Sequence, residues 1–385
     1  MFVPLKYNVR NLAVRRVSTV LTAFGIAVSV GVFIAVMALV EGIRATFVST
    51  GEPRNVLAIR SGAQAETGSL IDPEAALAVR SIPGIEHDAL GRPLVSLERV
   101  IYVTLSRRNT GSSNVVIRGL GEFGCTLRPA AHLVQGRWFR PGARELTISR
   151  EIADRFRECA LGDELITGAV HWKVVGIFDA GQTAYASEIW TDAVDVQSAF
   201  LRPTYAAILV RASSKDAVRP IIDAMSGPRF DLSGRTEIAY YTDQTKAATP
   251  IQILGNVIAI VMAIGSAFAA MNTMYAAVAS RVREIAVLRA LGFSAMSVAL
   301  SFMCEAVLLA ILGGVLGGIM ALPLNGIGTG TVNWFTFSEM NFQFAVTPRL
   351  LVQGILFAIG MGIAGGVMPA LRASRLSPAT AMRAL

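Results

Sequence analysis

Charge is missing from four long stretches of this 385-residue sequence, and that absence restricts its reading most. Residues 17–40, 250–279 and 350–371 carry no Asp, Glu, Lys or Arg, and residues 295–322 carry one, Glu305. Each run reaches the roughly 20 residues that cross a ~30 Å hydrocarbon core. A chain that lives wholly in water is thereby excluded. Cysteine is scarce too, with Cys125, Cys159 and Cys304 the complete set. Cys304 falls inside the third run and reads as a small packing residue. Cys125 and Cys159 lie between the first two runs; a bridge between them is chemically permitted, and two unpaired buried thiols are the preferred reading. The three histidines, His87, His132 and His171, stand far apart, without the Cys, His or Asp spacing that holds a metal.

Catalytic motifs are absent as well. The chain has no G-x-S-x-G, H-E-x-x-H, C-x-x-C or H-x-x-E-H. Asp88 and Glu122 can be drawn as a carboxylate dyad, but so can many pairs among the acids around them, and a solvated surface is the default. No G-x-x-x-x-G-K-[ST] occurs either, so the sequence holds no phosphate-cradling loop. The expectation is a protein that is not itself an enzyme and binds no cofactor or metal.

Charge is present where it orients the chain. The formal net charge is +8, yet residues 41–246 hold 24 basic and 24 acidic side chains. The excess sits beside the apolar runs: Lys6, Arg10, Arg15 and Arg16; Arg281, Arg283 and Arg289; Arg372, Arg375 and Arg383. Nucleic-acid binding needs a basic face on a folded domain, and none is visible. Lys and Arg concentrate in short cytoplasmic loops. All three clusters agree on one topology, with both termini and the 280–294 loop inside and residues 41–249 and 323–348 outside. The first run is far longer than the 7–15 residues of a signal-peptide core, and Ala35 and Ala38 make no convincing cleavage site, so it reads as a retained anchor.

The expected segmentation follows: a cytoplasmic segment 1–16, spans at 17–42, 249–279, 295–322 and 349–371, an outer domain 43–248, a cytoplasmic helix in 280–294, an outer loop 323–348 and a cytoplasmic tail 372–385. In the outer domain, residues 54–60, 100–105, 115–117, 172–178 and 206–210 suit strands, and residues 73–82, 150–157 and 215–225 suit helices. Gly51-Glu-Pro53, Pro83-Gly84 and the polar 107–114 stretch supply turns. The fold class expected is an α-helical membrane protein with four transmembrane helices in a one-plus-three arrangement and a mixed α/β outer domain of two lobes, divided near residues 120–130.

Lipid does not drive helices together by the hydrophobic effect, so close approach through small residues must do so. Ala23, Ala27, Gly31 and Ala35 form one such stripe, Gly313, Gly314, Gly317 and Gly318 a second, and Ala358, Gly362 and Gly366 a third. Each suits packing within the chain or a seam between two chains. Glu305 is costly at its depth and calls for a partner. With no further acids or histidines on the other spans, a structural pair with an arginine such as Arg289 is expected rather than a proton relay. Residues 281–291 lack Gly and Pro and read as a short helix ended by Gly292. Its charges, Arg283, Glu284 and Arg289, point in different directions, unlike a helix lying on a bilayer. A helix inserted in a groove of a cytosolic partner can use all its sides.

Three passages carry a family resemblance: Arg281-Val-Arg-Glu-Ile-Ala-Val-Leu-Arg-Ala-Leu-Gly-Phe-Ser294, Glu305 with the glycines of 313–318, and Pro369-Ala-Leu-Arg-Ala-Ser-Arg-Leu-Ser-Pro-Ala-Thr-Ala-Met-Arg383. With Gly136-Arg-Trp-Phe139 and Trp172–Phe178 in the outer domain, the chain resembles the MacB/FtsX-type ABC transporter permeases, the type VII exporter fold, along nearly its whole length. The resemblance implies a dimer of permease chains, homodimeric or heterodimeric, in a bacterial inner membrane. Each chain would dock a cytosolic ATPase through Arg281, Arg283, Glu284, Leu288, Arg289, Leu291 and Gly292. ATP and Mg would be held by that partner, a separate polypeptide, since the Walker motif is lacking here. A periplasmic membrane-fusion adaptor and an outer-membrane channel are further implied partners, beside membrane lipid. Two functions compete: the permease of an exporter that transmits force outward, and an FtsX-like signalling protein that controls a periplasmic cell-wall hydrolase. The size of the outer domain is nearer to the exporters.

Overall fold

A computed structural model describes residues 16–167, 170–332 and 339–375. The chain divides into two compact units. One holds the chain up to Gly42, residues 249–327 and the part from Phe344; the other holds residues 43–248 and 328–343. Lys6, Arg10, Arg15 and Arg383 lie outside the described residues, as do most of the expected terminal segments 1–16 and 372–385.

Helix α1 (Arg16–Val48) is 33 residues long, about 50 Å at ~1.5 Å per residue, and so exceeds the bilayer core. The domain that follows runs β1 (Asn55–Arg60), α2 (Pro73–Ala78), β2 (Val95–Ser106), β3 (Ser112–Leu120), β4 (His132–Gly136), β5 (Glu145–Ser149), α3 (Arg150–Arg155), β6 (Glu164–Thr167), β7 (Val170–Asp179), β8 (Glu188–Asp192), α4 (Ala193–Phe200), β9 (Ala207–Arg211), α5 (Val218–Met225), β10 (Leu232–Thr236) and α6 (Glu237–Gln244). Its strands make one sheet in the order β10-β1-β9-β2-β3-β8-β5-β7-β4, with β6 also on β7. The helices start where a side-chain oxygen satisfies a free N–H. Ser149 caps α3 through Ile152 N, Asp192 caps α4 through Val194 and Asp195 N, and Thr236 caps α6 through Ala239 N.

Strand β2 organises the domain because its two halves serve two cores. Val95–Glu98 pair with β9, while Arg99–Ser106 pair with β3. Around the first half, Val56, Ala58, Leu97, Ile208, Val210, Ile221 and Met225 close one core. Around the second, Ile101, Val103, Val115, Ile117, Ile148, Phe156, Trp172 and Ile189 close another. Residues 101, 103 and 105 share a face because side chains alternate along a strand. The domain is thus mixed α/β with two cores, but no cut near 120–130 divides it. The second lobe is an insertion, and the chain returns to the first at β9. Pairing of β9 with β2 across about a hundred residues is invisible to local pattern.

Helix α7 (Thr249–Ser280) leads into the second unit, followed by α8 (Val282–Ala290), α9 (Ala295–Ala321), β11 (Gly328–Val332), β12 (Glu339–Gln343) and α10 (Pro348–Ser374). Among the described residues α1, α7, α9 and α10 are long and apolar enough to cross a membrane. The 323–348 stretch is more than a loop: β11 and β12 pair in antiparallel register, Gly328 opposite Gln343 and Val332 opposite Glu339. They cluster with the extramembrane domain. The alternation Glu339-Met-Asn-Phe-Gln-Phe344 is the period-2 signal that a reading focused on apolar runs overlooks.

Small residues let α9 approach two neighbours at once. A Cβ on Gly317 would stand 2.6 Å from Ala27 O and 2.8 Å from Val30 Cβ, both on α1. One on Gly314 would stand 3.0 Å from Ala358 Cβ of α10. Gly313 faces α1 and Gly318 faces α10 in the same way. These four glycines therefore serve packing within the chain. Ser29 and Ser266 hydroxyls meet at 2.6 Å, and Thr22 donates to Thr273 at 3.0 Å, joining α1 to α7.

Candidate functional site

The segment between the second and third spans is built by two breaks. At Arg281 the backbone leaves the helix (φ −117°), and α8 begins. At Gly292 φ is +94°, a region that a Cβ disfavours, and the N–H of Phe293 closes on Leu288 O. Ser294 then caps α9 through Ser297 N at 3.1 Å. Between the breaks α8 has a buried and an open side. Ile285 and Ala286 are buried, Ile285 packing with Val298, Phe302 and Ala373. Arg283, Glu284, Val287, Ala290, Leu291 and Gly292 are exposed, and Leu288 and Arg289 are half-buried.

Glu305 has its arginine, but it is Arg281 rather than Arg289. Arg281 Nη1 donates to Glu305 Oε2 at 2.9 Å and Nη2 to Oε1 at 3.4 Å. Both side chains are under a tenth exposed. Arg289 donates instead to Phe293 O at 3.2 Å, at the far end of α8. Two corrections follow. Arg281 is an anchor within the bundle and not part of an outward surface. Nor does α8 offer all its sides, because one is committed to its own spans. The buried pair fixes the root of α8 to α9, leaving Arg283, Glu284 and Leu291 on the open side.

In the extramembrane domain the structure assembles a buried charge cluster that the sequence reading did not single out. Arg118 on β3 binds three carboxylates: Glu66 (2.8 and 2.9 Å), Glu98 (2.9 Å) and Glu188 (2.7 and 2.9 Å). Arg128 grips Glu98 with two 2.7 Å bonds. Glu98 and Arg128 are essentially unexposed. Burial works to raise the Glu98 pKa, but Arg128 and Arg118 outweigh it and hold the carboxyl below its usual range. Glu237, the first residue of α6, shows the opposite result: burial prevails over Arg128 and raises its pKa. It accepts from Tyr185 Oη at 2.5 Å, Asn55 Nδ2 at 2.9 Å and Glu52 N at 3.0 Å. Glu237 thus ties the residues after α1, the start of the helix leading to α7, and the second lobe. No single sequence window could reveal the cluster, since its members lie in five separate segments.

A pH dependence follows. The unfolded Glu237 carboxyl titrates near ~4.3. Between that value and the raised folded value, the folded state binds more protons, so stability falls as pH rises. Glu98 acts in a separate, more acidic window, where its stabilising charge is lost as pH falls. Glu237→Gln is therefore expected to flatten the decline of Tm as pH rises above the unfolded carboxyl value. An identical slope in variant and parent would assign that decline to another group.

The remaining candidates do not assemble a reactive centre. Asp88 and Glu122 both bind Arg92 at the surface rather than each other. Cys125 and Cys159 are free thiols, each pushed up to about 12 by burial and hence unreactive. His171 meets Glu164 at 2.9 Å in the open. A cleft of about 410 Å³ is bordered by Arg107, Glu151, Arg155, Gln182, Asn341 and Gln343, without a nucleophile–base pair among them.

Comparison with known proteins agrees with this architecture. Residues 19–227 match the family described as MacB-like periplasmic core domain, and residues 256–378 match the FtsX-like permease C-terminal family. The macrolide export ATP-binding/permease protein MacB of Bartonella henselae is 27% identical over 392 residues, covering 95% of this chain and 57% of that protein. MacB 2 of Yersinia pestis bv. Antiqua is 26% identical over 300 residues, covering 73% of this chain and 43% of that protein. The chain thus spans about half the length of these relatives. The periplasmic region of MacB from Actinobacillus actinomycetemcomitans aligns with a TM-score of 0.38 and 14% identity, over 49% of this chain and 91% of that one.

Proposed function

Because this chain belongs to the MacB/FtsX-type ABC transporter permeases, we propose that it is the force-transmitting subunit of an ATP-driven exporter. It is a multi-pass protein of the bacterial inner membrane. In this reading both termini and α8 are cytoplasmic, in keeping with the basic clusters, and the α/β domain is periplasmic. A separate ATPase subunit binds and hydrolyses ATP with Mg. The chain pairs with a second permease chain, and domain movement outside the bilayer expels cargo, with a membrane-fusion adaptor and outer-membrane channel as further partners. The extent of the MacB-like match over residues 19–227 favours export over FtsX-like signalling.

One observation carries the proposal. The open side of α8 is rooted in the spans by the Arg281–Glu305 pair, so a push on that side reaches α9 without loss in a flexible joint. A short helix seated in a partner's groove is a common docking mode, and Leu291, 69% exposed, is an apolar anchor for it. Arg283→Glu combined with Leu291→Asp is expected to lower stimulation of a co-expressed ATPase at least about tenfold, while the chain stays inserted. The checks are ATPase rate and co-purification from membranes. Stimulation at the parent level would remove the docking role of α8.

A further inference from the structure

The hairpin between the third and fourth spans ends in a fastening that neither its length nor its sequence motifs announce. Glu339 opens β12, and its side chain is 1% exposed. Arg107 Nη2 donates to Glu339 Oε2 at 2.9 Å, and Arg155 pairs with Oε1. Both arginines belong to the second lobe, one just after β2 and one closing α3. Asn341 N donates to Ser187 Oγ at 2.8 Å, and Gln182 Nε2 to Gln343 Oε1 at 2.7 Å. Gly330, on the facing strand, forms the slot. A Cβ there would stand 2.7 Å from both terminal nitrogens of Arg155 and from Glu339 Oε1.

A carboxylate enclosed this fully is held by charge more than by shape. Without Arg107 and Arg155 the Glu339 charge would be stranded away from water, whereas the two half-buried arginines keep contact with solvent. The hairpin folds with the extramembrane domain, yet its ends, Ile327 and Phe344, continue directly towards α9 and α10. We propose that Glu339 is a positioning residue for force transmission: clamped by Arg107 and Arg155, it fastens the hairpin to the second lobe, so that domain movement is delivered to the third and fourth spans. The domain is then attached at three places, through α1, through α6 into α7, and through this hairpin. The inference rests on the permease reading given above.

The test uses the full-length chain with its ATPase in lipid nanodiscs and takes two readouts from one sample. Glu339→Gln keeps size and hydrogen-bond acceptance but removes the charge. Amide hydrogen exchange of residues 328–332 and 339–343 is expected to rise about tenfold, with β2 and β7 unchanged. Stimulation of the ATPase should fall at least about fivefold although the ATPase still co-purifies. Glu339→Asp, which keeps the charge on a shorter stem, should lie between parent and Gln. Gly330→Ala should loosen the hairpin in the same direction by blocking the slot. Unchanged exchange in Glu339→Gln would overturn the fastening. Faster exchange with coupling at the parent level would overturn the positioning role and leave only a local contact. A parent chain that stimulates no ATPase would instead overturn the permease reading, while the exchange data still decide the fastening.

Discussion

Replacement of Arg118 by methionine is expected to destabilise the extramembrane domain to the point of partial unfolding at 25 °C. The guanidinium is 3% exposed and serves Glu66, Glu98 and Glu188 at once. Without it only Glu98 keeps a cation, Arg128, and two carboxylates are left buried without an arginine. Removing one partner of a buried ion pair costs about 3–5 kcal/mol. A domain of ordinary stability has only about 5–15 kcal/mol in total. Thermal and urea unfolding followed by tryptophan fluorescence will report this, since Trp172 and Trp190 are fully buried in the second lobe and beside the cluster. Arg219→Met, which removes an exposed pair with Asp223, should leave the curve in place. A stable Arg118→Met domain would mean that the cluster is not what holds the two cores in register.

Arg281→Ala should have an effect of similar size inside the membrane unit. It leaves Glu305, 5% exposed, buried without its arginine, again a loss of about 3–5 kcal/mol. Replacing both partners, Arg281→Met with Glu305→Leu, should recover most of the lost stability, because well-packed apolar groups commonly substitute for a buried pair. Glu305→Gln should be tolerated better than Glu305→Ala, since the amide oxygen still accepts from Arg281. Yield of monodisperse protein and thermal inactivation in mild detergent provide the measurement. The decisive comparison is single against double variant. If the double variant were as unstable as Arg281→Ala, the pair would be acting through shape rather than charge. If it were stable yet failed to stimulate the ATPase, the pair would be needed to transmit motion and not merely to hold the bundle.

The two sites differ in how far sequence could lead to them. Glu305 announced itself, because one charge in a run of 28 residues demands a partner. That the partner is an arginine such as Arg289 is as far as the sequence leads; choosing Arg281 needs the backbone break at Arg281 that starts α8. Residues 281–292 were legible as a helix from the lack of Gly and Pro, but which of its sides is open was not. That depends on Ile285 packing with Val298 and Phe302, a contact made by tertiary folding. Glu98 and Arg118 lie on strands whose other residues look ordinary, and as single charges among 24 of each sign they carried no mark. Glu339 was hidden in what read as a loop.

Sequence by itself determined the four spans, the position of the large domain between the first and second, its mixed α/β character, and the family. Those properties rest on hydropathy over about 20 residues, on short-range periodicity and on local motifs, all of which act along the chain. Tertiary structure alone decided that the second lobe is an insertion bracketed by β2 and β9. It also decided that the glycines of α9 serve neighbours within the chain, and that the buried Arg118, Arg281 and Glu339 each meet an opposite charge. The reason is the same in each case. An ion pair, a strand partner or a helix contact is selected by proximity after folding, and residues tens to hundreds of positions apart carry no joint signal in one sequence.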